Sequence, residues 1–153
     1  MGMYTEFNIG VSLSDDVPQS VIDILRYMTG DINEIDSSVE NLHPFFKTER
    51  WAILFKCDSY YFDGETHTSF HKDDIDNKYH LTVRSNLKNY DNEIELFLDF
   101  INPYLDTFDF LGYMIYEEDR IPTLIFRSEK GIELFYPFDD AERYRSLDDV
   151  VNR

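Results

Sequence analysis

The side chains best suited to chemistry in this 153-residue chain lie close together: His67 and His71 four apart, His80 a little further on, and Asp73, Asp74 and Asp76 between them. On a helix the four-residue spacing would turn both imidazoles of His67 and His71 to one side, as a zinc pair requires. Their neighbours Gly64, Thr66, Thr68, Ser69 and Phe70 favour extended chain instead. Four extended residues at about 3.3 Å each part the rings by about 13 Å, too far to share one ion. His80 falls on the polar side of a predicted strand and could approach His67 or His71 across the sheet, with Asp73, Asp74 or Asp76 completing a metal site. The competing reading is ordinary surface histidines, since no zinc-ligand spacing signature accompanies them.

Hard cations such as magnesium or calcium take carboxylate oxygens, and Asp73, Asp74 and Asp76 form one acidic cluster while Glu117, Glu118 and Asp119 form another. Neither fits a calcium loop, which needs a glycine at its sharp turn and a glutamate at its end; solvated turns explain both. Glycosidases use a carboxylate pair, but 31 acidic residues supply many pairs and none stands out. Cys57 could act as a nucleophile with His43, His67 or His80 as base, yet it follows an apolar run and suits a small core position equally well. Gly10, Gly64, Gly112 and Gly131 stand alone, so no phosphate-cradling loop and no nucleophile elbow occurs, and no cofactor is expected. Tyr113, Tyr116, Tyr136 and Tyr144 cluster beside acidic residues, where rings and charge together could recognise a basic partner or simply edge a core.

Elements that would position these groups follow from periodicity. Tyr4 to Leu13 alternates, with Phe7, Ile9, Val11 and Leu13 on one side, and predicts a first strand. Ser14-Asp15-Asp16 offers N-cap oxygens, Pro18 suits a first helical turn, and Val17, Val21, Ile24, Leu25 and Met28 predict a helix ending at Gly30. Residues 31–49 read as a loop with one short helix. Trp51 to Phe55 predicts a central strand covered on both faces, and Ser59 to Phe62 another, turned at Asp63-Gly64 into Thr66 to Phe70. Tyr79, Leu81 and Val83 have a two-residue period. Ile94, Phe97, Leu98, Ile101 and Leu105 predict a second helix ended by Pro103, with Asp91 and Glu93 favourably near its start. Phe110 to Tyr116, Thr123 to Arg127 and Ile132 to Tyr136 predict an antiparallel meander. The tail, about 139–153 and more loosely packed, predicts one short helix capped by Ser146.

Together these predict one α+β domain over 1–153, a two-layer sandwich of a mainly antiparallel sheet of five to six strands with two main helices on one face. Its length suits a single core. No run approaches the roughly 18 apolar residues of a membrane span, and no export or lipid signal is present at the N-terminus. A lone cysteine excludes an intrachain disulfide, and a cytoplasmic location fits best.

The 14 basic against 31 acidic residues give a net charge of −17, which repels phosphate backbones and anionic membranes and attracts cations and basic protein surfaces. Nucleic acid is therefore not an expected partner. A non-catalytic acidic protein docking on a basic protein, of the immunity, inhibitor or phage counter-defence type, is the leading expectation. A divalent-metal hydrolase built on Asp73, Asp74, Asp76 and His80 is one alternative, and a structural or oligomeric protein without a site is another.

At Ser85-Asn86-Leu87-Lys88-Asn89-Tyr90-Asp91-Asn92-Glu93-Ile94-Glu95 and at Gly112-Tyr113-Met114-Ile115-Tyr116-Glu117-Glu118 the chain resembles small uncharacterised proteins of bacteria and their phages. The resemblance implies a bacterial or phage origin and assigns no activity to any residue.

Overall fold

The alternation predicted for the first strand holds from Phe7 to Ser12, while Thr5 and Glu6 are both buried. In the computed structural model, which describes residues 3–137 and 146–151, β1 (Thr5–Ser12) buries Phe7, Ile9 and Val11 to 5% exposure or less. It lies in the middle of a six-stranded sheet of order β2-β3-β1-β4-β5-β6, with β2 at His67–Lys72, β3 at Tyr79–Leu87, β4 at Asp109–Tyr116, β5 at Thr123–Ser128 and β6 at Gly131–Phe135. Every neighbouring pair is antiparallel. A Cβ at Gly112 would come within 2.0 Å of the Asn8 carbonyl oxygen, so glycine is what lets β4 close on β1 just past an irregularity in the β4–β5 register.

Two helices cover one face. α1 (Gln19–Thr29) buries Val21, Ile22, Ile24, Leu25 and Met28. It ends where Gly30 takes the left-handed conformation at φ 86° and Asp31 N–H bonds the Arg26 carbonyl at 2.9 Å. α2 (Glu93–Ile101) buries Ile94, Phe97, Leu98, Phe100 and Ile101, and passes into a 3-10 turn at Pro103. A third helix, α3 (Leu147–Val151), is one short piece with Asp148 N–H on Ser146 Oγ at 3.2 Å and with Leu147 and Val151 exposed. The α+β sandwich and its six strands are as predicted.

Four local expectations are corrected. Ser14, Asp15 and Asp16 do not cap α1: its N-cap is Pro18, and the Ser14 hydroxyl is spent on the Tyr104 carbonyl at 3.2 Å. Trp51 to Phe55 is not a strand. It is a 3-10 turn (Trp51–Ile53) that drives Leu54 and Phe55 to zero exposure while Trp51 packs on Phe46 with ring centres 4.9 Å apart. A five-residue apolar run meets the burial demand of a covered strand and of a tight turn plugging a core equally, and the local aromatic packing decides here. Two further 3-10 turns, Ser37–Asn41 and Pro44–Lys47, fill the segment expected to hold a single short helix. Ser59 to Phe62 is also not a strand, because Asp58 Oδ1 accepts from Ser59 N–H at 2.8 Å and Ser59 Oγ from Tyr61 N–H at 3.3 Å. These local bonds take backbone donors that a ladder would use.

Candidate functional site

The hairpin joining β2 to β3 brings together most of the residues singled out in the sequence. Its turn closes with Asp73 N–H on the Lys78 carbonyl and Asn77 N–H on the Asp73 carbonyl, both 2.9 Å, and Asn77 sits at φ 60°. Each flanking aspartate spends one oxygen on the turn: Asp73 Oδ1 accepts from Ile75 N–H at 2.8 Å, and Asp76 Oδ1 from Lys78 N–H at 2.9 Å. The second oxygen of Asp76 lies 2.6 Å from His80 Nε2. The Lys78 amide, and to a lesser degree His80, hold the Asp76 carboxyl below its ordinary range. Donor atoms of Asp73, Asp76 and His80 all fall within 4.8 Å of one another. Asp74 stays outside that group and exposed. His71 is the direct register partner of His80, their rings nearly parallel with centres 6.1 Å apart. His67 instead faces Arg84, so the four-residue pair is parted as strand geometry requires.

Behind the hairpin, Lys78 binds Asp106, which also accepts from the Ser12 hydroxyl at 2.5 Å. Burial pushes the Asp106 carboxyl up, but the Lys78 ammonium and the Ser12 hydroxyl outweigh it and the net shift is downward. Beside the turn, Asp15, Gln19, Lys72, Asp76 and Tyr79 border a polar cavity of about 300 Å³.

A second region lies on the sheet face away from the helices. Directly opposed residues share a side, so register carries one row of side chains across all six strands: His67, Arg84, Asn8, Tyr113, Leu124 and Phe135. The segment 57–66 straps the β3–β1 part of this face. Cys57 carbonyl accepts from Asn86 N–H at 3.0 Å, and Tyr61 Oη donates to the Glu117 carbonyl at 2.7 Å. Beneath the strap, Arg84 meets the nearly buried Glu6 at 2.8 Å as an ion pair rather than as a well-aligned hydrogen bond. Over β4–β6 the same face carries Phe110, Tyr113, Ile115, Leu124, Phe126 and Phe135; Phe110 is 53% exposed and Phe135 49%. Exposed Glu118, Asp119, Glu129 and Glu133 accompany it in the turns and on the edge strand.

The remaining candidates separate. Glu117, Glu118 and Asp119 form the β4–β5 turn, in which Glu117 Oε1 accepts from Tyr4 N–H at 2.5 Å. Among the described residues Cys57 has no histidine partner, and burial pushes its thiol up, away from nucleophile behaviour. Of the four tyrosines, Tyr113 faces the apolar strip, Tyr116 pairs with Thr5 on the other side, Tyr136 follows β6, and Tyr144 lies outside the described residues. The tyrosines drew attention in the sequence, whereas the strip is chiefly phenylalanine and leucine. Its signal was there in Leu124-Ile125-Phe126, where apolar residues stand at both parities of one strand. No helix among the described residues is long and apolar enough to cross a membrane. No protein-family model, no curated protein and no solved structure matches the chain.

Proposed function

We propose that this chain is a non-catalytic binding protein whose open sheet face over β4–β6 docks on a basic surface of another protein. The observation that carries it is an apolar strip, half exposed at Phe110 and Phe135 and partly buried between them, on a chain of net charge −17. Apolar side chains grouped on one surface mark interaction sites more often than isolated ones do, and Phe and Tyr are enriched at interface centres. The surrounding carboxylates supply the complementary half: they steer a basic partner towards the strip and disfavour nucleic acid and other acidic surfaces. Immunity proteins, enzyme inhibitors and phage counter-defence factors are the classes such a surface suits, and a cytoplasmic setting suits them.

The test uses the intact chain, immobilised and exposed to host lysate, with Phe110→Ser/Phe126→Ser as a matched variant. A basic protein should be retained at low salt and released as the Debye length contracts from about 30 Å at 0.01 M to about 8 Å at 0.15 M. The double variant should lose it, while His67→Gln on the polar part of the same face should keep it. Retention that ignores both salt and the double variant, or no retention at all, overturns the proposal.

A further inference from the structure

We propose that the β2–β3 hairpin is a binding site for a zinc-type divalent transition-metal ion, held by His80, Asp76 and Asp73 with His71 as the fourth donor. Two histidines on two strands carry this inference, rather than the acidity of the turn. Direct cross-strand partners have Cβ atoms roughly 5 Å apart, so His71 and His80 can reach one ion where His67 and His71 cannot. His71 is exposed, and only its Nδ1 has a contact, Ser69 Oγ at 3.3 Å; Nε2 has no hydrogen-bond partner among the described residues. As it stands His71 lies outside the group formed by Asp73, Asp76 and His80, its ring centre 6.1 Å from that of His80, and a rotation of this one surface side chain would be needed to bring Nε2 to the ion.

The other three donors are already oriented. The carboxylates are fixed by their bonds to turn amides; Asp73 keeps its second oxygen for a ligand, and the second oxygen of Asp76 faces His80. The His80 ring is held at 2.6 Å by Asp76, a contact that a divalent ion would replace by binding both partners. Of the two cations beside these ligands in sequence, Lys78 is paired with Asp106, and Lys72 lies over the Tyr79 ring at 5.7 Å. Two imidazoles and two carboxylates make a four-coordinate N2O2 set, which suits zinc, cobalt or nickel; magnesium and calcium prefer oxygen alone. The site is separate from the docking strip, so either proposal can fail without the other.

Zinc chloride titrated calorimetrically into the full chain should bind at one ion per chain, and cobalt(II) should give the intense visible absorption of tetrahedral coordination. His80→Gln and Asp76→Asn should each weaken binding at least tenfold, and His71→Gln about tenfold, the scale on which even outer contacts of a metal site act. His67→Gln, on the same strand and face, should leave it unchanged. In the unmodified protein, imidazole NMR signals of His71 and His80 should move with zinc while those of His43 and His67 stay. This readout needs no variant to fold. No uptake at millimolar metal, or uptake indifferent to His80→Gln with no movement of the His71 and His80 signals, overturns the proposal.

Discussion

One row of the open face, from His67 through Arg84 and Asn8 to Tyr113, Leu124 and Phe135, changes character at the centre of the sheet. On the β2–β3–β1 half the residues turned away from the helices are histidine, serine, threonine, arginine, asparagine and glutamate, with Gly10. On the β4–β6 half they are chiefly phenylalanine, leucine, tyrosine and isoleucine, with Ser128 and Glu133 towards the edge. Both halves belong to one ladder and one pleat, so backbone geometry does not explain the difference. A half-solvated antiparallel strand is expected to alternate apolar-in and polar-out; β3 obeys this and β5 does not. The helix-side residues suffice to build the core, and the exposed rings contribute little to it. Two kinds of surface therefore share one face, one half proposed to take an ion and the other a protein partner.

The contrast is sharpest when the two sides of the sheet are broken in parallel. Phe97 on α2 is fully buried and meets Phe7, Phe45 and Phe55 with ring centres 5.3–6.2 Å apart. Phe97→Ala should lower unfolding free energy by about 3–5 kcal/mol through lost transfer energy and the cavity left behind. Phe110→Ser, half exposed on the strip, should cost less than about 1 kcal/mol. Denaturant melts of the two variants measure both. If Phe110 proved as costly as Phe97, the strip would belong to the core and would not be free to bind.

A similar comparison applies to charge. Glu93, at zero exposure in the first turn of α2, accepts from Arg50 Nη1 at 3.2 Å and from Asp91 N–H at 3.1 Å. Glu93→Ala leaves the mostly buried Arg50 without this partner, and a loss of about 3 kcal/mol is expected, as for other broken buried pairs. Asp76 and His80 form a shorter contact in the open hairpin, where water screens it. Asp76→Asn should leave the thermal midpoint unchanged within error while removing the metal affinity. Thermal unfolding with and without zinc distinguishes the two outcomes.

The parts of this fold that sequence made legible are those where one periodicity holds over many residues. β1 alternates from Phe7 to Ser12, α1 and α2 keep a helical stripe, and Gly30 ends its helix as a left-handed cap should. Trp51 to Phe55 was not legible because a run this short carries no period. Ser59 to Phe62 was not because Asp58 and Ser59 side chains outcompete the ladder for nearby amides. The hairpin residues Asp73, Asp76 and His80 stood out by type, but the pairing of His71 with His80 depends on a turn closed by a left-handed Asn77, which composition does not announce. The apolar strip was visible as letters; that its outer parity is left half exposed follows from α1 and α2 packing on the other face.

The polar half depends on one further pair, and its pH response has a definite sign. Lys78 and Asp106 tie the hairpin to the end of β1, where Asp106 N–H also bonds the Ser12 carbonyl at 3.1 Å. The Asp106 carboxyl lies below its ordinary range in the folded chain, so its contribution is fully present above the unfolded value of about 3.9 and is lost as pH falls through the lower folded value. The Lys78 ammonium is raised by Asp106, so its contribution is fully present below the unfolded value of about 10.4 and is lost as pH rises through the higher folded one. Between those limits the pair is intact. Because both side chains are partly exposed, Asp106→Asn should cost only about 1 kcal/mol at neutral pH. The difference between parent and variant should shrink on acidification below about pH 4, which urea melts across that range would measure. A difference that stayed constant in acid would mean that the charge on Asp106 does not anchor the hairpin carrying His80.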